Sequence, residues 1–188
     1  MSELIRSFFA FDMENPMILN KISTVQRLLL STGADLKNVE PANIHITIRF
    51  LGNVKLSTVE KLSEEIGKIQ FIPFDIRING LGAFPNMRYP RVIWAGITEG
   101  KEQLRNIFDQ LEPKLRKLGF PPDFKGFNPH LTICRVRSGR NKTQLADFVK
   151  QNCATDFGVQ KADCLKLKKS TLTLRGPIYS TLKEFHPK

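Results

Sequence analysis

Asn43-Ile44-His45-Ile46-Thr47-Ile48 and Asn128-Pro129-His130-Leu131-Thr132-Ile133 are two versions of one phrase. The chain holds three histidines in 188 residues, and two of them share Asn at −2 and Thr at +2. The offset between the copies is 85 positions, from His45 to His130. Shifting the first half by this amount lays strand 4 on 89, helix 16 on 101, strand 44 on 129, helix 57 on 142 and strand 73 on 158. Every pair matches in type, which predicts two β-α-β-α-β lobes in tandem, roughly 4–80 and 89–168, with further strands over 170–185. The whole chain, 1–188, then reads as one bilobal domain.

The spacing within each phrase carries the chemistry. Side chains on a strand alternate faces with a period of two. His45 and Thr47 therefore share a face, with Ile46 and Ile48 turned to the core. His130 and Thr132 repeat this, backed by Leu131 and Ile133. If the lobes pack about a pseudo-twofold axis, the pairs face each other across one cleft. Two imidazoles flanking a phosphate suit in-line phosphodiester cleavage. One takes a proton from the attacking oxygen and the other gives one to the leaving oxygen, each role worth about 10²–10⁴ in rate. The threonine hydroxyls suit the non-bridging oxygens as charge builds. No acidic residue lies in either phrase, and HExxH and HxH spacings are absent, so no metal or other cofactor is called for.

Working outward, Leu4–Asp12 reads as a buried strand. Asn15-Pro16 opens a helix with Ile18, Ile22, Val25 and Leu29 inward, stopped by Gly33. Residues 44–51 alternate as a strand. Ser57-Thr58-Val59-Glu60 reads as a capping box ahead of Leu62, Ile66 and Ile69. Residues 73–80 form a strand, and Gly82 to Pro90 a loop. Then come a strand over 91–98, a helix over 101–118, a loop from Pro121 to Pro129 and a strand over 130–137. A short helix near Asn141 is followed by strands at 158–168, 170–175 and 178–185, the last two parted by Gly176-Pro177.

Composition bounds the function. Hydrophobic residues are 41% and charged residues 25%, which excludes a disordered chain. The formal net charge of +11 predicts a polyanionic partner. Three cysteines, Cys134, Cys153 and Cys164, give neither a disulfide framework nor a zinc knuckle. With no secretory signal and no membrane-length apolar run, the expected compartment is the cytoplasm.

Several runs resemble one known family. Asn43–Gly52, Phe84-Pro85-Asn86, Pro90–Gly96 and His130–Arg135, with Ser170-Thr171-Leu172 and Gly176–Tyr179, resemble the archaeal and bacterial RNA 2′,3′-cyclic phosphodiesterases. That branch of the two-histidine (2H) phosphoesterases is also called 2′-5′ RNA ligase. The resemblance implies an α+β fold, with two pseudo-symmetric lobes whose antiparallel sheets form a basic central cleft and whose helices lie outside. It implies metal-independent opening of a 2′,3′-cyclic phosphate to a 2′-phosphomonoester, and a reverse-type 2′-5′ joining of tRNA halves. It makes His45 the proton donor to the 3′ oxygen and His130 the acceptor from water. Cys134 departs from the small residue, such as Ala, usual after the second motif.

Other residues are secondary candidates. Arg49 shares the parity of His45 and Thr47 and is a candidate for holding phosphate. Arg135 has the opposite parity to His130 and reaches the site only at a strand end or bulge. Tyr179, or a Phe from the first strand, is a candidate for stacking on a base. Trp94 reads as buried, His186 as a frayed end, and Lys166–Lys169 as a solvated face or RNA-binding edge. The expected partner is RNA, including tRNA halves, bound by a monomer. The competing readings are a phosphodiesterase for small cyclic nucleotides, an RNA exonuclease, and a non-catalytic RNA-binding module.

Overall fold

A computed structural model describes residues 4–124, 126–174 and 176–188. Thirteen elements follow one another along the chain. They are β1 (Leu4–Asp12), α1 (Pro16–Ser31), β2 (Leu36–Asn38), β3 (His45–Lys55), α2 (Val59–Ile66), β4 (Phe74–Phe84), β5 (Val92–Glu99), α3 (Lys101–Lys117), β6 (Leu131–Val136), α4 (Lys142–Gln151), β7 (Asp156–Ala162), β8 (Leu165–Thr173) and β9 (Gly176–Phe185). The class is α+β. Among the described residues every strand pairing is antiparallel, in the order β7-β4-β5-β6-β3-β1-β8-β9, with β2 beside β6.

The two halves of the sheet meet at one Cα pairing, Ile46 with Leu131. On either side the order is symmetric. β3, β1, β8 and β9 run outward one way; β6, β5, β4 and β7 run outward the other. The third strand of the first repeat has thus left its own half, since β4 pairs with β5 and β7. Its counterpart by position is β8 beside β1. The helices cross as well: α1 packs on β6 and β7, while α3 packs on β3 and β5. The halves interlock.

Local chemistry explains most element ends. Asn15 caps α1 by accepting from the Met17 amide at 2.9 Å, with Pro16 in the first turn. Ile18, Ile22, Val25 and Leu29 are all buried. Burying each such side chain contributes about 1.5–3 kcal/mol. The expected capping box at Ser57 does not form: residues 56–58 make a 3-10 turn, and the N-cap Thr58 makes no side-chain cap bond. β4 runs through Gly82 to Phe84, into the expected loop, because Gly82, Ala83 and Phe84 find partners in Trp94, Ile93 and Val92. The strand expected at 158–168 is two strands, broken at Asp163-Cys164; of the expected 170–175 strand, 170–173 is the end of β8, and residue 175 lies outside the described residues. β8 turns outward there to pair with β1 and β9. Among the described residues, no helix is long and apolar enough to cross a membrane.

Candidate active site

The central pairing of Ile46 with Leu131 fixes the register of the two motifs. In that register His45 lies opposite Thr132, and Thr47 opposite His130. Ile46 and Leu131 are buried at 1% and 0% exposure, so the four polar side chains share the opposite, open face. Cross-strand neighbours are about 5 Å apart and alternate residues about 7 Å apart along a strand. The histidines thus stand at opposite corners of a patch the size of a phosphate group, with a hydroxyl at each remaining corner. They are close enough for His130 to be among the charges felt by His45.

Each imidazole is oriented the same way. His45 Nδ1 donates to the Asn43 carbonyl at 2.8 Å, and His130 Nδ1 donates to the Asn128 carbonyl at 2.7 Å. This places the proton of each neutral ring on Nδ1 and leaves each Nε2 as an acceptor. His45 Nε2 meets Thr47 Oγ1 at 3.0 Å. No such bond joins His130 to Thr132 among the described residues. Burial pushes His45 down to about 4. The Asn43 carbonyl opposes this, Lys168 adds to it, Asp12 opposes it, and His130 adds to it. His130 is also lowered by burial, against the Asn128 carbonyl.

The surroundings of the two rings differ. His45 lies 5.0 Å from Phe8 and 5.2 Å from Tyr179, centroid to centroid. His130 packs edge-on to Phe84 at 4.8 Å, and Phe84 lies against Trp94 at 5.3 Å. Trp94 spreads over the sheet where a side chain is missing: a Cβ at Gly82 would come within 2.2 Å of the indole. The Trp94 indole Nε1 is buried without a hydrogen-bond partner.

Two bulges decide the arginines. Between β1 and β3 the register skips Ile48, and between β5 and β6 it skips Ile133. Each bulge reverses the strand parity beyond it. Arg49 is therefore turned away from the open face and is only 8% exposed. Its Nε donates to Glu112 on α3, and its other nitrogens to the carbonyls of Phe50 and Pro121. The expectation that Arg49 holds phosphate is overturned, since every arm of the guanidinium is committed to structure. Arg135 is turned the other way, onto the exposed face. Its charge reaches Tyr179, whose hydroxyl is raised by burial and lowered by Arg135 and Arg6.

Tyr179 belongs to a hairpin that folds back over the site. Asn43 Nδ2 donates to the Pro177 carbonyl at 2.9 Å, and a Cβ at Gly176 would lie 3.3 Å from Lys37 Nζ. Gly176-Pro177 marked a turn in the sequence, but nothing there told where its tip would land. The sequence marks Lys168 only as part of the Lys166–Lys169 run. It is 5% exposed and ion-paired with Asp12. A group with metal-ligand potential, Cys164, Glu184 and His186, has its donor atoms within 4.8 Å of one another at the far end of the β8–β9 hairpin from Tyr179. His186 is thus an exposed partner of Glu184, at 3.7 Å.

The profile of the LigT-like phosphoesterases matches the chain twice, over residues 14–94 and 96–179. The chain belongs to this family. The two matches fall on the two halves that carry His45 and His130. A relative from Methanocaldococcus jannaschii, named RNA 2′,3′-cyclic phosphodiesterase, is 40% identical over 183 residues, covering 96% of this chain and 100% of its own. One of the same name from Archaeoglobus fulgidus is 39% identical over 181 residues, covering 96% and 99%. The LigT fold also recurs in solved structures. Escherichia coli LigT complexed with 3′-AMP superimposes with a TM-score of 0.80 at 22% identity, over 99% of each chain. TT0787 of Thermus thermophilus superimposes with a TM-score of 0.77 at 24% identity, over 97% of each.

Proposed function

We propose that this protein opens RNA 2′,3′-cyclic phosphate ends to 2′-phosphomonoesters without a metal, with His45 as proton donor and His130 as proton acceptor. The observation that carries the reading is the placement of His45, Thr47, His130 and Thr132 on one open face across the central strand pair. The names of the relatives support RNA as the substrate. The +11 charge supports a polymer over a small nucleotide.

In this mechanism, His130 Nε2 takes a proton from water as the water oxygen bonds to phosphorus. His45 Nε2 gives a proton to the 3′ oxygen as its bond to phosphorus breaks. The product carries a 2′-phosphate and a free 3′-hydroxyl. Thr132 and Thr47 donate to the non-bridging oxygens, Thr47 exchanging its bond to His45 for one to phosphate. A 5′-hydroxyl in place of water gives a 2′-5′ linkage by the same proton transfers, as in the joining of tRNA halves. Both imidazoles lie below their ordinary range, so the free site at neutral pH holds neutral rings. The phosphate anion offsets the cost of the proton that His45 must carry. Arg135 and Tyr179 flank the entering strand, and the chain works as a cytoplasmic monomer.

The test is an end-group assay. The protein is given an RNA oligomer ending in a 2′,3′-cyclic phosphate, with EDTA present. The expected product is a 2′-phosphate, with turnover reduced by about 10²–10⁴ in His45→Ala and in His130→Ala. RNA binding without turnover by the wild type would move the function to a binding module. Activity lost with EDTA and restored by a divalent ion would end the metal-free reading.

A further inference from the structure

The two histidines differ most in what stands across the strand from them. β1 pairs Asp12 with His45. The β5–β6 register, which pairs Ala95 with Leu131, carries on to set Gly96 beside His130. One strand further out, Lys168 pairs with Phe8 on β1, and Phe84 pairs with Val92 on β5. Phe8 and Val92 in turn pair with Phe50 and Arg135, equivalent positions 85 apart. Where the second half has Phe84 and Gly96, the first half has Lys168 and Asp12. Those two form an ion pair, and Lys168 is 5% exposed.

Such a pair is costly to bury, since desolvation offsets much of its attraction. The adjoining core offered an apolar solution, as Phe84 demonstrates in the other half. Asp12 is held twice, by Lys168 on one oxygen and by Lys166 on the other at 3.3 Å. Lys166 itself bonds Glu14 at 2.6 Å and lies 3.9 Å from Glu184. The charge at Lys168 is thereby fixed in place beside His45.

Resting on the reading of His45 as a proton-transfer group, we propose that Lys168, anchored by Asp12, is a positioning residue that makes His45 chemically unequal to His130 by holding a fixed positive charge near its ring that the second half lacks. All charged or titratable groups facing His45 enter the balance. Asp12 comes from β1 and favours the imidazolium. Lys168 comes from β8 and disfavours it, with Lys166 behind Asp12. His130 adjoins β6 and also disfavours it, while Thr47 and the Asn43 carbonyl hold the ring from its own strand. Tyr179 on β9 closes the ring over and feels Arg6 and Arg135. In the second half, burial and the Asn128 carbonyl are the influences on His130.

Histidine ring NMR on the free full-length protein tests this directly, because only His45, His130 and His186 give signals. Lys168→Met is expected to raise the His45 midpoint by roughly half a unit or more, with His130 moving less. Lys168→Arg keeps the charge and is expected to restore it, and Asp12→Asn is expected to lower it. In kcat/KM profiles on the cyclic-phosphate RNA, the limb belonging to His45 is expected to move with the NMR midpoint in each variant. An unmoved His45 midpoint in folded Lys168→Met, or equal shifts in Met and Arg variants, would overturn the proposal. The titration uses no substrate. A wild type inactive on cyclic phosphate, with these shifts intact, would therefore overturn the function alone.

Discussion

The two halves of this molecule share a phrase, a strand order and a bulge, yet they surround their histidines with different materials. Around His45 are a buried ammonium paired with a half-buried carboxylate, two aromatic rings and a bonded threonine. Beside His130 is Phe84, which lies against the Trp94 indole, itself over Gly82. The strand order is alike on the two sides of the central pairing and holds two imidazoles in equivalent positions, which the proposed in-line cleavage would use in opposite directions. The strands keep the geometry alike; burial lowers both imidazoles, and the neighbouring charges that act on His45 have no counterpart at His130 among the described residues.

The largest difference to break lies behind the sheet. Glu112 on α3 accepts from Arg49 inside the first half, with both side chains nearly buried. Glu112→Ala leaves an unpaired buried guanidinium, and about 3–5 kcal/mol of stability is expected to go in a denaturant titration. The activity of the folded fraction is expected to stay within a few fold, because Arg49 does not face the site. A loss of substrate affinity with unchanged stability would return Arg49 to the phosphate.

Acid sharpens the comparison next. In the unfolded chain His45 titrates near 6.5, and in the folded chain at about 4. Between those values the unfolded state binds more protons, so stability is full above pH 6.5 and falls as pH drops toward 4. The part belonging to His45 is about 3 kcal/mol at most. His45→Gln is expected to flatten this slope more than His130→Gln, measured as denaturant midpoints against pH. Equal flattening would remove the electrostatic difference between the halves.

Smaller effects follow on the open face. Thr132→Val and Thr47→Val each remove a hydroxyl from the phosphate patch, and kcat is expected to fall by roughly 10²-fold. Only Thr47→Val is expected to disturb the His45 ring signal, since Thr47 bonds that ring in the free protein. Arg135→Gln is expected to raise KM a few fold and to weaken the salt dependence of RNA binding. Unchanged KM and salt slope would place Arg135 outside the RNA path.

The part of this site legible in sequence was the part that is local. The His-x-Thr spacing needs only strand alternation, and its repetition at a fixed offset goes with the matching strand orders on either side of the central pairing. The α1 helix was legible because its cap and stripe are contiguous. Arg49 departs from the face that unbroken alternation predicts, because the bulge at Ile48 reverses the parity. The signal was there in the second copy, where Ile133 and Cys134 are adjacent apolar residues that one strand face cannot both occupy without a bulge. Both are fully buried. Burial pushes the Cys134 thiol up to about 12, which accords with a packing residue. The Lys168–Asp12 pair and the folded-back tip of β8–β9 join segments more than 130 positions apart in the chain. No local pattern announces such contacts.

The central claim is that two halves build one site, and the combined variant His45→Ala/His130→Ala tests it most directly. Single-turnover rates on cyclic-phosphate RNA are measured for the wild type, each single variant and the double. Groups that act together on one phosphorus are strongly non-additive. The double variant is therefore expected to be little worse than the more damaged single variant. Losses that multiply, or two single variants that each keep about half of the activity, would contradict a shared site.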